Sequence, residues 1–269
     1  MSADPDGPPH GGERSGKADI HVHTDLSDGM ASPAEILAYV EAETDLDVIA
    51  IVDHDDIAPA LETRELWARG SYRFELVVGV EVTAIEGHVI ALFVEEPPPS
   101  LRPVEEVLAA VHRQGGLAIA AHPLSWLTRS LDRRTLERMA ASKAEGVEGV
   151  YLDALETANQ SPAGRVRLKK ARALNRERYE LAEVGGSDAH FLKAIGSAYT
   201  EFAGRTAAEL RQSILDGSCR AVSGRHPTLL EVGPLQALRQ SWRGLRATPR
   251  RMGWGATAGS FVKRIFSLR

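Results

Sequence analysis

A single cysteine, Cys219, leaves the 269-residue chain without any internal disulfide, which makes a reducing compartment compatible with its chemistry. No apolar run approaches the length that a membrane span needs. The stretch from Met1 to Pro9 has neither a basic start nor an apolar core, so no secretory signal is read there. These absences lead to the expectation of a soluble, cytoplasmic protein. Acidic side chains are missing altogether from Val232 to Arg269, where Arg239, Arg243, Arg246, Arg250, Arg251, Lys263, Arg264 and Arg269 supply eight positive charges. Removing those eight from the net charge of −5 leaves residues 1–231 at −13. A body of that sign does not hold a long polyanion over its general surface, because backbone binding relies on clustered Lys and Arg.

What is present is a hydrophobic content of 43%, enough for one large core and compatible with one barrel-sized domain. Residues 1–16, rich in Pro, Gly and charge without any period, read as a disordered head, with His10 a bystander. The domain is expected over residues 17–231, followed by a basic, partly helical tail over 232–269. Ser32-Pro33-Ala34-Glu35 joins an N-cap serine, a proline at the first helical position and a glutamate three residues after the cap, which predicts a helix from Pro33 to about Ala42. Asp47–Asp53 reads as a buried strand, Ile57–Arg69 as a helix and Phe74–Val82 as a strand. Gly87–Val94 reads as a strand joined to the preceding one by a short turn, and Pro103–Gln114 as a helix stopped by Gly115-Gly116. Helices at about Arg133–Lys143 and Pro162–Arg178 alternate with strands at Val150–Thr157 and Leu181–Ser187. A second capping box at Thr206-Ala207-Ala208-Glu209 starts a helix between strand pieces near Ala198–Phe202 and Arg220–Val222. Such alternation implies parallel pairing and an α/β fold.

The chemistry concentrates where the apolar runs end. In Asp19-Ile20-His21-Val22-His23, side chains two apart on a strand share a face, so His21 and His23 form a two-imidazole claw, and the following turn brings Asp28 and Gly29. A His-x-His pair alone arises by chance about as readily as by function. Asp53-His54-Asp55, however, closes Val48–Val52, Glu81 follows Leu76–Val80, His122 ends Leu117–Ala121, and Asp188 and His190 close Glu183–Ser187. Five runs finishing in metal-competent residues are not expected of random placement, and mixed imidazole and carboxylate donors suit Zn, Mn or Fe rather than Ca or Mg. If the strands close into a barrel, their C-terminal ends converge on one face and these residues meet.

The set His21-x-His23, Ser27-Asp28-Gly29, Asp53-His54-Asp55, Gly79-Val80-Glu81, Ala121-His122-Pro123 and Gly186-Ser187-Asp188-Ala189-His190 resembles the polymerase and histidinol phosphatase (PHP) family of metal-dependent phosphoesterases, from about Lys17 to about Gly224. The resemblance implies a distorted (β/α)7 barrel, here with a basic C-terminal helical extension. It implies that His21, His23, Glu81 and Asp188 ligate one metal, that Glu81 bridges to a second bound by His122, and that Asp28, His54 and His190 ligate a third. Related members place another histidine where this chain has Leu155-Glu156-Thr157-Ala158-Asn159, so two divalent ions (Mn, Fe or Zn) are expected, with the third in question. The implied reaction is phosphoester hydrolysis by a metal-bridging hydroxide. Its substrates would be 3′,5′-bisphosphonucleotides or the 5′ ends of short RNA, as for a nucleotide hydrolase or exonuclease. A histidinol-phosphatase-like activity is the runner-up, and a metal-stabilised binding or regulatory module without turnover is the reading from another class. The helical lid that the nucleotide branch inserts before the His122 strand is absent, so a more open site is expected.

Asp53, Asp55 and His88 are the candidate proton donors to the leaving oxygen, with orientation of ligating imidazoles the plainer reading for the two aspartates and a packed core histidine for His88. Arg165, at the expected start of the basic helix, is the candidate phosphate contact, because guanidinium binds phosphate in a bidentate manner. Arg167 is a weaker candidate, and Arg225 and His226 after the final strand are further ones. Arg172, Arg176 and Arg178 read as a solvated face, and His112 as a packed or solvated helix residue. In the tail, an amphipathic helix over Leu235–Ala247 with Trp242, Trp254, Phe261 and Phe266 among arginines suits RNA, an anionic membrane surface, or packing on the barrel. No stable protein partner is inferred.

Overall fold

The computed structural model describes residues 15–255 and 257–258, so the expected head (1–14) and Phe261 and Phe266 lie outside the described residues. Nine strands form one sheet in the order β7-β6-β5-β4-β3-β2-β1-β8-β9. They are β1 (Ser15–Val22), β2 (Val48–Ile51), β3 (Glu75–Thr83), β4 (His88–Leu92), β5 (Leu117–Ala120), β6 (Ala154–Ala158), β7 (Ala182–Gly185), β8 (Ala198–Ala203) and β9 (Arg220–Ser223). The helices are α1 (Pro33–Glu43), α2 (Ala58–Arg69), α3 (Val104–Arg113), α4 (Arg133–Ala144), α5 (Leu168–Leu174), α6 (Ala207–Asp216), α7 (Leu229–Val232), α8 (Pro234–Gly244) and α9 (Ala247–Met252). Among the described residues, no helix is long and apolar enough to cross a membrane.

The sheet curls into a nearly closed barrel. Past the end of β7, Ala189 bridges to Val22 of β1: the His23 N–H donates to the Ala189 carbonyl and the Ala189 N–H to the His21 carbonyl, both at 3.0 Å. Thr200 of β8 fills the lower part of the seam by accepting the Gly185 N–H through its hydroxyl at 2.9 Å. Both faces of the strands are buried, which is why β2 reads as an unbroken apolar run. Val48, Ala50 and Val52 pack in one cluster with Ile20, Ile90, Ile119 and Val184, while Ile49 and Ile51 pack in the other against helix residues such as Ile36, Val107 and Leu108.

Three expectations change. Pairing is not parallel throughout, because β4 runs antiparallel to both β3 and β5. The connection from Thr83 to His88 is too short for a crossover and makes a hairpin. As a result His88 opens its strand at the rim where the parallel strands end. The basic helix also starts late, at Leu168, since residues 161–167 fold as turns and Arg167 takes a left-handed φ of 64°. It runs on through a π-helical turn, Asn175–Tyr179. Strand β1 begins at Ser15, inside the stretch read as disordered. Both capping boxes form, Ser32 with Glu35 and Thr206 with Glu209.

Candidate metal centre

The C-terminal ends of β1, β2, β3, β5 and β7 deliver His21, His23, His54, Glu81, His122, Asp188 and His190 to one rim, and the loop after β1 adds Asp28. Glu81 is central. Its Oε2 lies 3.3 Å from His21 Nε2, 3.4 Å from His23 Nε2 and 3.2 Å from His54 Nδ1. Its Oε1 lies 3.0 Å from His122 Nε2 and 2.8 Å from His88 Nδ1. Asp188 Oδ1 faces His21 and His23 Nε2 at 3.5 and 3.4 Å, and Asp28 Oδ2 faces His190 and His54 Nε2 at 3.0 and 3.7 Å.

Four overlapping sets of side chains converge closely enough to share an ion: His21, His122 and Asp188; His21, His23 and Glu81; His23, Asp28, His54 and His190; and His54, Glu81 and His88. All eight ligands expected from the sequence are therefore brought together. The chemistry fits a cation. His21 Nε2, both ring nitrogens of His23, His54 Nδ1 and His88 Nε2 are buried without a hydrogen-bond partner. Burying a polar atom unpaired costs roughly 1–3 kcal/mol, and a cation that takes one lone pair from each of these four imidazoles accounts for four of the five nitrogens.

The charges agree. Burial opposes ionisation of Glu81 and Asp188, yet the surrounding imidazoles hold both carboxyls well below the usual range. Burial and the neighbouring His190 push His23 down to about 4, keeping it neutral as a ligand must be. His190 moves the other way, to about 10, because Asp28 outweighs the burial that disfavours its cation. His21, His54 and His122 are also raised against burial by the neighbouring carboxylates, so the acidic rim draws positive charge that a bound cation would supply in place of protons. The backbone is bent to the same end: His122 and Asp188 hold positive φ of 30° and 55°. Such conformations cost about 1–3 kcal/mol each and persist where the surroundings impose them.

Several residues play parts that the sequence did not reveal. Glu156, fully buried at the end of β6, accepts from His21 Nδ1 at 2.9 Å and, through its other oxygen, from the His122 N–H at 2.6 Å and Asn159 Nδ2 at 3.0 Å. It fixes which nitrogen of His21 faces the centre. The available signal was an acid within an apolar strand, the same pattern that marked Glu81. Ser130 lies 3.0 Å from His122 Nδ1, and the Ser161 hydroxyl donates to Asp188 Oδ2 at 2.6 Å. Gly186 is required by close approach, since a Cβ there would stand 2.5 Å from that of His21. Asn159, where the resemblance implies a histidine, turns its amide nitrogen to Glu156 and Asp188 and spends its oxygen on the Ser161 N–H at 2.9 Å.

The candidate proton donors are placed otherwise. Asp53 accepts from Thr24 N, Thr24 Oγ1 and Ser27 Oγ, and Asp55 from Thr83 N, Thr83 Oγ1 and Ser100 Oγ. Both hold loops, with their oxygens already engaged. His88 sits against Glu81 and is pushed down to about 4 by burial, so it is neutral and better suited to ligation than to proton donation. Arg165 is exposed on the turn before α5, and its charge helps to lower the pKa of half-buried His226, after burial, the larger cause. Asp188 also acts on His226, so these two candidates share the rim. The Arg225 guanidinium pairs with Glu231, its Nη2 donating to both carboxylate oxygens at 2.8 and 3.0 Å. Arg172 and Arg176 pair with Glu183, and Arg178 with Glu137. Burial pushes the Cys219 thiol up to about 12, which makes it inert.

The family model described as PHP-associated matches residues 168–219. An uncharacterized protein of Methanocaldococcus jannaschii is 35% identical over 132 residues, 45% of this chain and 75% of that protein. The 5′-3′ exoribonuclease Rnm of Salmonella typhimurium is 33% identical over 88 residues, 31% of this chain and 30% of the enzyme. Among solved structures, a two-domain protein of Bacteroides vulgatus containing a predicted PHP-like metal-dependent phosphoesterase superposes with a TM-score of 0.62 at 20% identity, covering 83% of this chain and 70% of that one, a likeness of fold. With the donor set at the barrel rim, the chain is similar to the PHP-associated family over residues 168–219 and shares the fold of a PHP-like protein.

Proposed function

We propose that this protein hydrolyses phosphomonoesters or the ends of short oligonucleotides, with 3′,5′-bisphosphonucleotides or the 5′ ends of short RNA as preferred substrates. The observation that carries the reading is the group of five buried, unpartnered imidazole nitrogens gathered around Glu81, Asp28 and Asp188. The similarity to the exoribonuclease of Salmonella typhimurium supports a nucleic-acid substrate.

His21, His23, Glu81 and Asp188 would hold one divalent ion and Glu81 with His122 a second, the two expected, while Asp28, His54 and His190 offer donors for a third; Mn, Fe and Zn suit these donors. When bound, paired cations lower the pKa of water and neutralise phosphate oxygens. The chain's own residues do the rest. Glu156 orients His21, and Ser161 and Asn159 orient Asp188. Arg165 supplies a guanidinium for the substrate phosphate at the rim, and His226 beside it a neutral imidazole that can accept or donate one hydrogen bond. Residues 17–231 act as the catalytic barrel, with 232–269 as its extension.

The test is a hydrolysis panel of 3′,5′-bisphosphoadenosine, 5′-phosphorylated oligonucleotides and histidinol phosphate, each with added Mn, Fe or Zn and with chelator. Metal-dependent hydrolysis of the nucleotide substrates is expected. A preference for histidinol phosphate would replace the substrate class, and no hydrolysis with any metal would leave a metal-stabilised binding module.

A further inference from the structure

The basic C-terminal segment lies against the metal-centre loop. The Arg243 guanidinium donates to the Asp25 carbonyl, and the Thr248 hydroxyl lies 3.1 Å from that of Thr83. At Gly244 the backbone comes so near that a Cβ would stand 3.2 Å from Asp28 Oδ2. Between segment and loop is a cavity of about 350 Å³ lined by Ser27, Trp242, Arg243, Arg246, Ala247 and Trp254. Its position is set by Ser27, the immediate neighbour of Asp28.

The lining has a specific chemistry. Two indoles, 60% and 65% exposed at Trp242 and Trp254, meet two guanidiniums. The Arg246 guanidinium stands 4.9 Å from the Trp242 ring centroid and pairs with no carboxylate among the described residues. Aromatic planes beside an arginine without a carboxylate partner, Arg246, bind a flat, π-faced group that carries phosphate, because bases stack on indole while guanidinium takes the phosphate charge. A lipid headgroup would use the arginines but has no use for a concave aromatic wall.

We propose that this cavity is a nucleobase subsite, in which Trp242 and Trp254 stack the base of a nucleotide whose phosphate is held at the metal centre and Arg246 binds a neighbouring phosphate. It rests on the phosphoesterase reading above and extends it, making the tail the part of the chain that selects nucleotides over other phosphate esters. The tail thereby takes the place of an inserted lid.

The experiment is an equilibrium titration of the Zn-loaded full chain with the non-hydrolysable phosphonate analogues of adenosine 5′-monophosphate and of ribose 5-phosphate, read by indole fluorescence and calorimetry. The nucleotide is expected to quench fluorescence and bind at least about tenfold tighter than the sugar phosphate. Trp242→Ala and Trp254→Ala should each weaken nucleotide binding by about tenfold and narrow that gap, with Trp242→Phe restoring most of it. Equal affinity for the two ligands, or unchanged nucleotide affinity in both alanine variants, overturns the proposal. So does a Trp242→Ala chain that keeps its nucleotide affinity and loses binding to phosphatidylserine vesicles, which would assign the surface to lipid. Because binding is read without turnover, failure of the hydrolysis panel and failure of this subsite are separate results.

Discussion

Glu156 and His21 face each other 2.9 Å apart in full burial, and the carboxylate's second oxygen holds the backbone of His122. One acid thus orients residues proposed for two different metals. Glu156→Gln keeps the volume but offers a single acceptor oxygen, so either the His21 or the His122 bond is lost. We expect metal affinity to fall by about 10–100-fold with the fold intact, measured by Mn titration and circular dichroism. Unchanged affinity would reduce Glu156 to a packing residue.

Metal removal should be visible as instability, because the rim then buries unpaired nitrogens among carboxylates. Mn at about 100 times its dissociation constant stabilises by about 2.7 kcal/mol, or roughly 5–10 °C in Tm for a chain of this size. Glu81→Ala, which touches five imidazoles, should abolish most of that rise in a thermal scan.

Arg165→Ala should raise KM for a nucleotide substrate about tenfold, the worth of a charge-assisted hydrogen bond, while metal content stays the same. Steady-state kinetics beside metal analysis checks this, and an unaltered KM would remove Arg165 from the site.

Gly244→Ala would ordinarily stabilise a helix end by about 0.5–1 kcal/mol. Here the new methyl meets Asp28 Oδ2 at 3.2 Å, so the tail or the carboxylate must yield. Weaker metal binding in the set containing Asp28, His54 and His190, with no gain in Tm, is the expected outcome. A stabilised chain with unaltered metal affinity would mean that the tail is not seated there.

His112 offers a test away from the centre. Its Nδ1 lies 2.9 Å from the Gly149 carbonyl and its Nε2 2.9 Å from Asp153 Oδ2, so both acceptors are satisfied only by the imidazolium. Burial opposes that charge, but Asp153 and the carbonyl prevail and hold the pKa above its usual value. A raised folded pKa contributes stability that is full below the unfolded value, near 6.5, and is lost as pH rises through the folded one. The stability difference between the native chain and His112→Leu, read from urea midpoints, should therefore be larger at pH 6 than at pH 9.

The legible parts were local. Capping at Ser32 and Thr206 depends on residues three positions apart, and strands such as β2 are simply apolar from end to end. Donors that stop those runs, from His54 to His190, were visible for the same reason. Arg225 illustrates the limit: spacing alone does not say whether its guanidinium turns to the rim or to Glu231, the capping acid of α7 six residues on. Asp53 and Asp55 read from the sequence as proton donors or as carboxylates that orient imidazoles, and only the fold brings Thr24, Ser27, Thr83 and Ser100 from other loops to occupy them.

By itself the sequence determined which side chains end the strands and therefore what kind of ion-binding chemistry the rim can support, because side-chain alternation and strand ends are properties of short stretches. Only the tertiary structure decided that Glu156 orients His21 and that the basic tail lies against Asp28. Those are contacts between distant segments, and their partners are chosen by closure of the barrel rather than by any local preference of the chain.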